Sequence, residues 1–319
     1  MKTSFTSIAK VAGGLALMAA SSAAMASVTN TAHNLSVTGE GAHMTGANAT
    51  TEICIFCHTP HGGNQQTNAP IWNRTVSSTS VYTRFSSLGR ITFDATEAPI
   101  GGVSIACLSC HDGTQARDSV INGPGSGPNS NYASTDGQAG TWVDGTTPST
   151  AYLSGFTPSD NGTTTGDLIY LGTDLRNDHP ISMQYGGGGF TNAAALVVGM
   201  PTRDPDFATY TGSTGSYGSA APNNAPSTST NFGVTGTATG AVNRQNLPNG
   251  GNMFYIDTNG VAGYQAEDFP LYTRTEITAG GEPMVECGTC HDPHSNNTTF
   301  LRLPGANQGS QVCLTCHAK

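Results

Sequence analysis

Apolar residues along this chain are sparse and come in short runs separated by long polar stretches. The first run, "VAGGLALMAA" (Val11–Ala20), follows Lys2 and Lys10 and precedes Ala24-Met25-Ala26, a small-residue cleavage pattern. It is shorter than the roughly 18–20 residues that a spanning helix needs, so the pattern predicts a cleaved export signal over 1–26 rather than an anchor. "AAALVVGM" (Ala193–Met200) is shorter still and predicts no span. The mature chain is expected to begin near Ser27 and to be exported and soluble.

Beyond Ser27 the pattern predicts few regular elements. Alternation in "VYTRF" (Val81–Phe85), "RITF" (Arg90–Phe93), "DLIYL" (Asp167–Leu171) and "MFYI" (Met253–Ile256) predicts short strands. "GPGSGPNSNYASTDG" (Gly123–Gly137) predicts loop. From Phe207 to Asn243 there is no Asp, Glu, Lys or Arg, and Thr211–Thr230 is rich in Gly, Ser, Thr and Pro. That stretch reads as a surface loop, with a flexible insert or a carrier of O-linked sugars as alternatives. Helices are expected to be brief.

Composition sharpens the puzzle. Leu, Ile, Val and Phe make up about 16% of the mature chain, below the level at which a polypeptide usually supplies its own core. Charged residues are only 10%, so the chain is not a charge-swollen coil. The formal net charge is −9, and no basic cluster exists to meet nucleic acid or an anionic membrane. Such a chain needs something else to fold around.

The cysteines supply it. All eight fall in one repeated motif: "CIFCH" (Cys54, Cys57, His58), "CLSCH" (Cys107, Cys110, His111), "CGTCH" (Cys287, Cys290, His291) and "CLTCH" (Cys313, Cys316, His317). C-x-x-C-H is the attachment signature of c-type haem: two thiols add to the vinyl groups and the histidine binds the iron. Disulfides, zinc and thiol exchange also use paired cysteines, but none requires histidine after every pair. Four covalent haems are therefore expected, and their apolar rings would provide the missing interior. The predicted fold class is a multihaem c-type cytochrome, mostly loops with few short helices and strands wrapped around a stack of four haems.

Five histidines remain for four distal positions: His33, His43, His61, His179 and His294. His61 and His294 share one placement, "CHTPH" and "CHDPH". A histidine three residues past the proximal one lies on the same side of a helical turn and reaches a neighbouring haem more readily than its own. The expectation is that each serves the next motif downstream, His61 the haem of Cys107/Cys110 and His294 the haem of Cys313/Cys316. His179, stiffened by Pro180 in "RNDHPISMQY" (Arg176–Tyr185), is a third distal ligand. His33 and His43 compete for the last place. Region 27–120 thus carries two haem sites, 121–279 is a Gly/Ser/Thr-rich region carrying His179, and 280–319 carries two more sites.

"HNLS", "EICIFCHTPHG", "APIWNR", "CLSCHDGT", "DHPISMQY" and "CGTCHDPH…FLRLPGANQGSQVCLTCH" together resemble the tetrahaem extracellular cytochromes of metal-reducing bacteria, of the OmcE filament type. The resemblance covers most of 27–120, 165–205 and 280–319, and not roughly 205–270. It implies bis-histidine haems in a continuous chain, and subunits that polymerise head-to-tail with one histidine lent to the neighbour. By motif position the distal ligands map onto His33, His61, His179 and His294, with His33 the natural candidate to cross between subunits. The function implied is extracellular electron transfer through four haem c groups as a nanowire subunit, with other redox proteins or extracellular acceptors as partners. Alternatives are a discrete periplasmic or outer-surface tetrahaem carrier and, behind it, a multihaem reductase. No catalytic residue is expected.

Overall fold

The computed structural model describes residues 28–46, 49–89, 95–124, 141–144, 147–149, 153, 169–188, 207, 242–246, 252–259, 263–274, 282–305 and 307–317. The expected export signal lies outside them, as do 90–93 and most of the low-complexity stretch.

Two antiparallel sheets carry most of the regular structure. The smaller joins β1 (Ala42–Thr45), β2 (Thr141–Asp144) and β3 (Thr147–Ser149) in that order. Its register sets Met44 opposite Trp142. Both are buried with Phe56, Ala116 and Val120, so this sheet closes over the first CxxCH motif. The larger sheet joins β4 (Met183–Gln184), β5 (Val242–Asn246), β6 (Asn252–Ile256), β7 (Phe269–Arg274) and β8 (Glu282–Val285) in the order β4-β8-β7-β6-β5. Its apolar face buries Phe254, Ile256, Phe269 and Leu271 with Val312, and Cys290 and Cys316 pack against that cluster.

Three short helices carry the later motifs: α1 (Ser104–His111), α2 (Cys287–Cys290) and α3 (Gln311–Cys316). Around α1 a third cluster buries Tyr82, Ile100, Ile105, Leu108 and Leu175. Among the described residues the buried apolar side chains thus gather in three small groups beside the motifs, in keeping with the low apolar content. Among the described residues no helix is long and apolar enough to cross a membrane.

The few helices and short strands match the expectation, but particular strands do not. "MFYI" lies in β6, while Val81–Phe85 forms 3-10 turns (Thr79–Val81, Phe85–Leu88) joined to Asp174 by one bridge at Thr83. Residues 169–171 of "DLIYL" carry no strand. β7 and β8 were hidden by their prolines: Pro270 pairs with Tyr255 and Pro283 with Thr273 inside the sheet, where proline is ordinarily absent.

Candidate haem-binding sites

Each motif is one tight turn. His58 N donates to Cys54 O (2.8 Å), His291 N to Cys287 O (3.1 Å) and His317 N to Cys313 O (2.9 Å). A turn of this kind sets residues three and four apart on one side, so both thiols and the imidazole face one ligand. None of the eight cysteines is joined in a disulfide. Burial pushes the Cys57 thiol up to about 12 and Cys290 up to about 11, so both stay protonated.

The histidines show how the chain prepares them. Nδ1 of His58 donates to Pro70 O (2.9 Å), that of His111 to Ile169 O (2.7 Å) and that of His291 to Thr299 O (2.9 Å). A nitrogen facing a carbonyl must carry the proton, so Nε2 is left as the basic nitrogen. His33 follows the same rule through Pro293 O (3.2 Å), and burial, with His111 next in weight, depresses its pKa to about 4. Burial likewise lowers His111 and His291. Neutral imidazole is the form that binds metal. His294 differs: Asp292 lies 3.6 Å from its Nδ1 and raises its basicity, a carboxylate–histidine arrangement common behind metal ligands.

Two imidazole pairs are assembled within the chain. The rings of His58 and His294 are 6.1 Å apart, and those of His33 and His111 are 6.3 Å apart. Two imidazoles binding one metal through bonds of about 2.0 Å, with about 1.1 Å from nitrogen to ring centre, separate their centres by about 6 Å. Nδ1 is engaged on all four rings, so the residues fit a haem iron between the two members of each pair. Phe300 stacks on His33 at 4.0 Å and holds that ring in place.

These pairings depart from the downstream-neighbour expectation. His294 faces the first motif, not the fourth, and His111 is faced by His33, not by His61. Sequence proximity misled because the chain folds back: Pro293 is brought to His33 across 260 positions. His33 therefore lies against its own chain's His111, not on an arm reaching outward. His61 is exposed, its backbone carbonyl accepting from Thr59 Oγ1 (3.0 Å) and Asn122 Nδ2 (2.9 Å). His179 is exposed with Nδ1 on Pro180 O (2.9 Å). His43 is half-buried in β1 with Nδ1 on Gly41 O (2.7 Å). None of these three is ring-paired with a motif histidine among the described residues. Phe207 packs at 4.5 Å from His317.

The four sites follow one another in chain order. Arg74, next to the Asn73 that bonds the first motif, donates to Ser109 O in the second; Ser104 ahead of the second motif accepts from Cys287 N in the third; and Cys290 and Cys316 pack against one apolar cluster. The outermost cysteines, Cys54 and Cys313, are exposed. The second and third sites are locked by Ser104 at the start of α1. Its Oγ donates to Glu286 and accepts from Cys287 N (3.0 Å). Glu286 also accepts from Ser182 Oγ (3.0 Å) and pairs with Arg274 (3.1 Å), and both charged side chains are almost wholly buried.

The first and third motifs repeat one arrangement. After the first, Ile71 O accepts from Thr59 N (2.9 Å) and Asn73 N donates to Cys57 O (2.9 Å). After the third, Phe300 O accepts from Asp292 N (2.8 Å) and Arg302 N donates to Cys290 O (2.9 Å). Side chains complete the match: Asn73 Nδ2 donates to Ile55 O (2.7 Å) and Arg302 Nε to Gly288 O (2.9 Å), one residue after the first cysteine in each case. Ile71, Thr299 and Phe300 all have positive φ. Asn73, Arg302, Ser104 and Glu286 escaped the sequence reading, since nothing in a polar residue's spacing marks it as a clamp.

Residues 279–319 match the model of the doubled CXXCH motif family. No curated protein matches the chain. The motifs imply covalently bound haem c, and the chain has the character of a multihaem c-type cytochrome, a class that transfers electrons.

Proposed function

We propose that this protein conducts electrons outside the cell through four bis-histidine haem c groups, as the repeating subunit of a head-to-tail cytochrome filament. The observation that supports the reading is the succession of motifs: Asn73 and Arg74 tie the first to the second, Ser104 ties the second to the third, and Cys290 and Cys316 of the last two pack against one apolar cluster. Haems attached in that order are neighbours, and electrons hop between neighbours; haem supplies the redox chemistry. The chain's residues fix spacing and orient the imidazole rings through their Nδ1 contacts.

The facing pairs His58/His294 and His33/His111 would each hold one haem iron with residues of a single chain. His291 and His317 take theirs from the remaining histidines. The exposed rings of His61 and His179 are the candidates for donation to a second copy, in place of His33. The exposure of Cys54 and Cys313, and of Ile71 (53%) and Leu314 (49%), supports end-to-end contact with a second copy at the first and last haems. A heterologous contact of this kind gives open polymers. Electron microscopy of protein sheared from the surface of producing cells tests the filament: uniform filaments support it, and discrete particles alone assign the same haem chain to a tetrahaem carrier.

A further inference from the structure

Asn73 and Arg74 are consecutive and wholly buried, and between them they hold the first two attachment loops together. Asn73 grips the first motif at Ile55 O and Cys57 O. Arg74 grips the second: Nη2 donates to Ser109 O (3.0 Å), between Cys107 and Cys110, and to Ala116 O (2.7 Å), while Nη1 donates to Arg117 O (2.8 Å). All three acceptors are neutral carbonyls, so none of them cancels the charge, and a guanidinium does not lose its proton on burial. The buried carboxylates of this region face other groups. Asp112 accepts from Tyr82 Oη (2.7 Å) and Ser77 Oγ (3.1 Å), and Asp118 accepts from Trp142 Nε1 (3.3 Å). The next joint contrasts with this one: between the second and third motifs, Arg274 is matched by Glu286.

We propose that Arg74 is a positioning residue for electron transfer, a fixed positive charge wedged between the first two haems that holds both reduction potentials up. A reduced haem carries one positive charge fewer than an oxidised one, so a nearby buried cation favours the reduced form. The first pair would then sit higher in potential than its bis-histidine ligation alone gives. The proposal rests on the haem reading of the first two motifs.

The test is potentiometric titration of the haem-loaded protein with Arg74→Gln and Arg74→Lys, with haem counted per chain. Arg74→Gln keeps a donor for a carbonyl and removes the charge; Arg74→Lys keeps the charge and loses the fork of bonds. Two of the four midpoints are expected to move negative in Arg74→Gln and to stay near wild type in Arg74→Lys. Unchanged midpoints in Arg74→Gln, equal shifts in both variants, or failure of both to load their haems would overturn the proposal in favour of a purely structural role. Absence of haem from the first two motifs of the wild type would instead overturn the underlying reading.

Discussion

At the level of single residues, the histidines divide into those with a built position and those without. His33 and His294 each face a motif histidine with Nδ1 already engaged. On the proposed ligation, replacing either by Ala would leave one haem with a single protein ligand, and one of four expected low-spin signals should give way to a high-spin signal in the EPR spectrum. His43→Ala, with its ring turned to Gly41 O, should leave the spectrum unchanged. Acid acts on the same bond. The folded chain holds His33 neutral down to about 4, whereas the unfolded chain takes up the proton near 6.5. The unfolded state therefore binds more protons in that window, and stability falls as pH drops from 6.5 towards 4. His33→Met removes the titrating group, and a smaller fall in melting temperature between pH 7 and 5 checks it. Spacing singled out His294, and His33 was singled out only by the resemblance; neither showed which ring it faces, because a local count of residues does not show where a chain folds back.

Among the elements, the motif turns depend on what packs against them. Three of the four carry a bulky residue after the first cysteine, Ile55, Leu108 and Leu314, and the third carries Gly288. A Cβ there would come within 2.5 Å of the Tyr272 hydroxyl and 3.1 Å of Val103 Cγ2, so α2 is pressed against β7 and the residue preceding α1. Gly288→Ala should force these apart and lower the melting temperature, while Leu314→Ala, at a half-exposed site, should cost little. The Ser104–Glu286–Arg274 lock allows a second contrast. Glu286→Ala strands a buried guanidinium and is expected to cost about 3–5 kcal/mol. Arg176→Ala, which breaks the exposed pair with Asp174, is expected to cost little, because solvent screens that pair. Denaturant unfolding of both variants measures the difference. Elements were legible where pattern and packing agree, as in β6. They were illegible in β7 and β8, where sheet pairing overrides the bias of Pro270 and Pro283 against strands.

The whole molecule follows from a shortage and its remedy. Among the described residues, a chain so poor in large apolar residues gathers them into three small clusters, each beside a CxxCH motif. The four motifs follow one another through the fold in sequence order, so attached rings would form the continuous interior that the clusters leave incomplete. Fold class and cofactor were legible because C-x-x-C-H binds composition to chemistry. The clamps between sites were not, because Asn73, Arg74 and Arg302 act through carbonyls that no sequence pattern marks. The most direct test of the central claim is EPR of the purified haem-loaded protein in its native assembly, with haem quantified per chain. Four haem c groups, all low-spin with two nitrogenous axial ligands, are predicted; fewer than four, or a stoichiometric high-spin signal, would contradict the account.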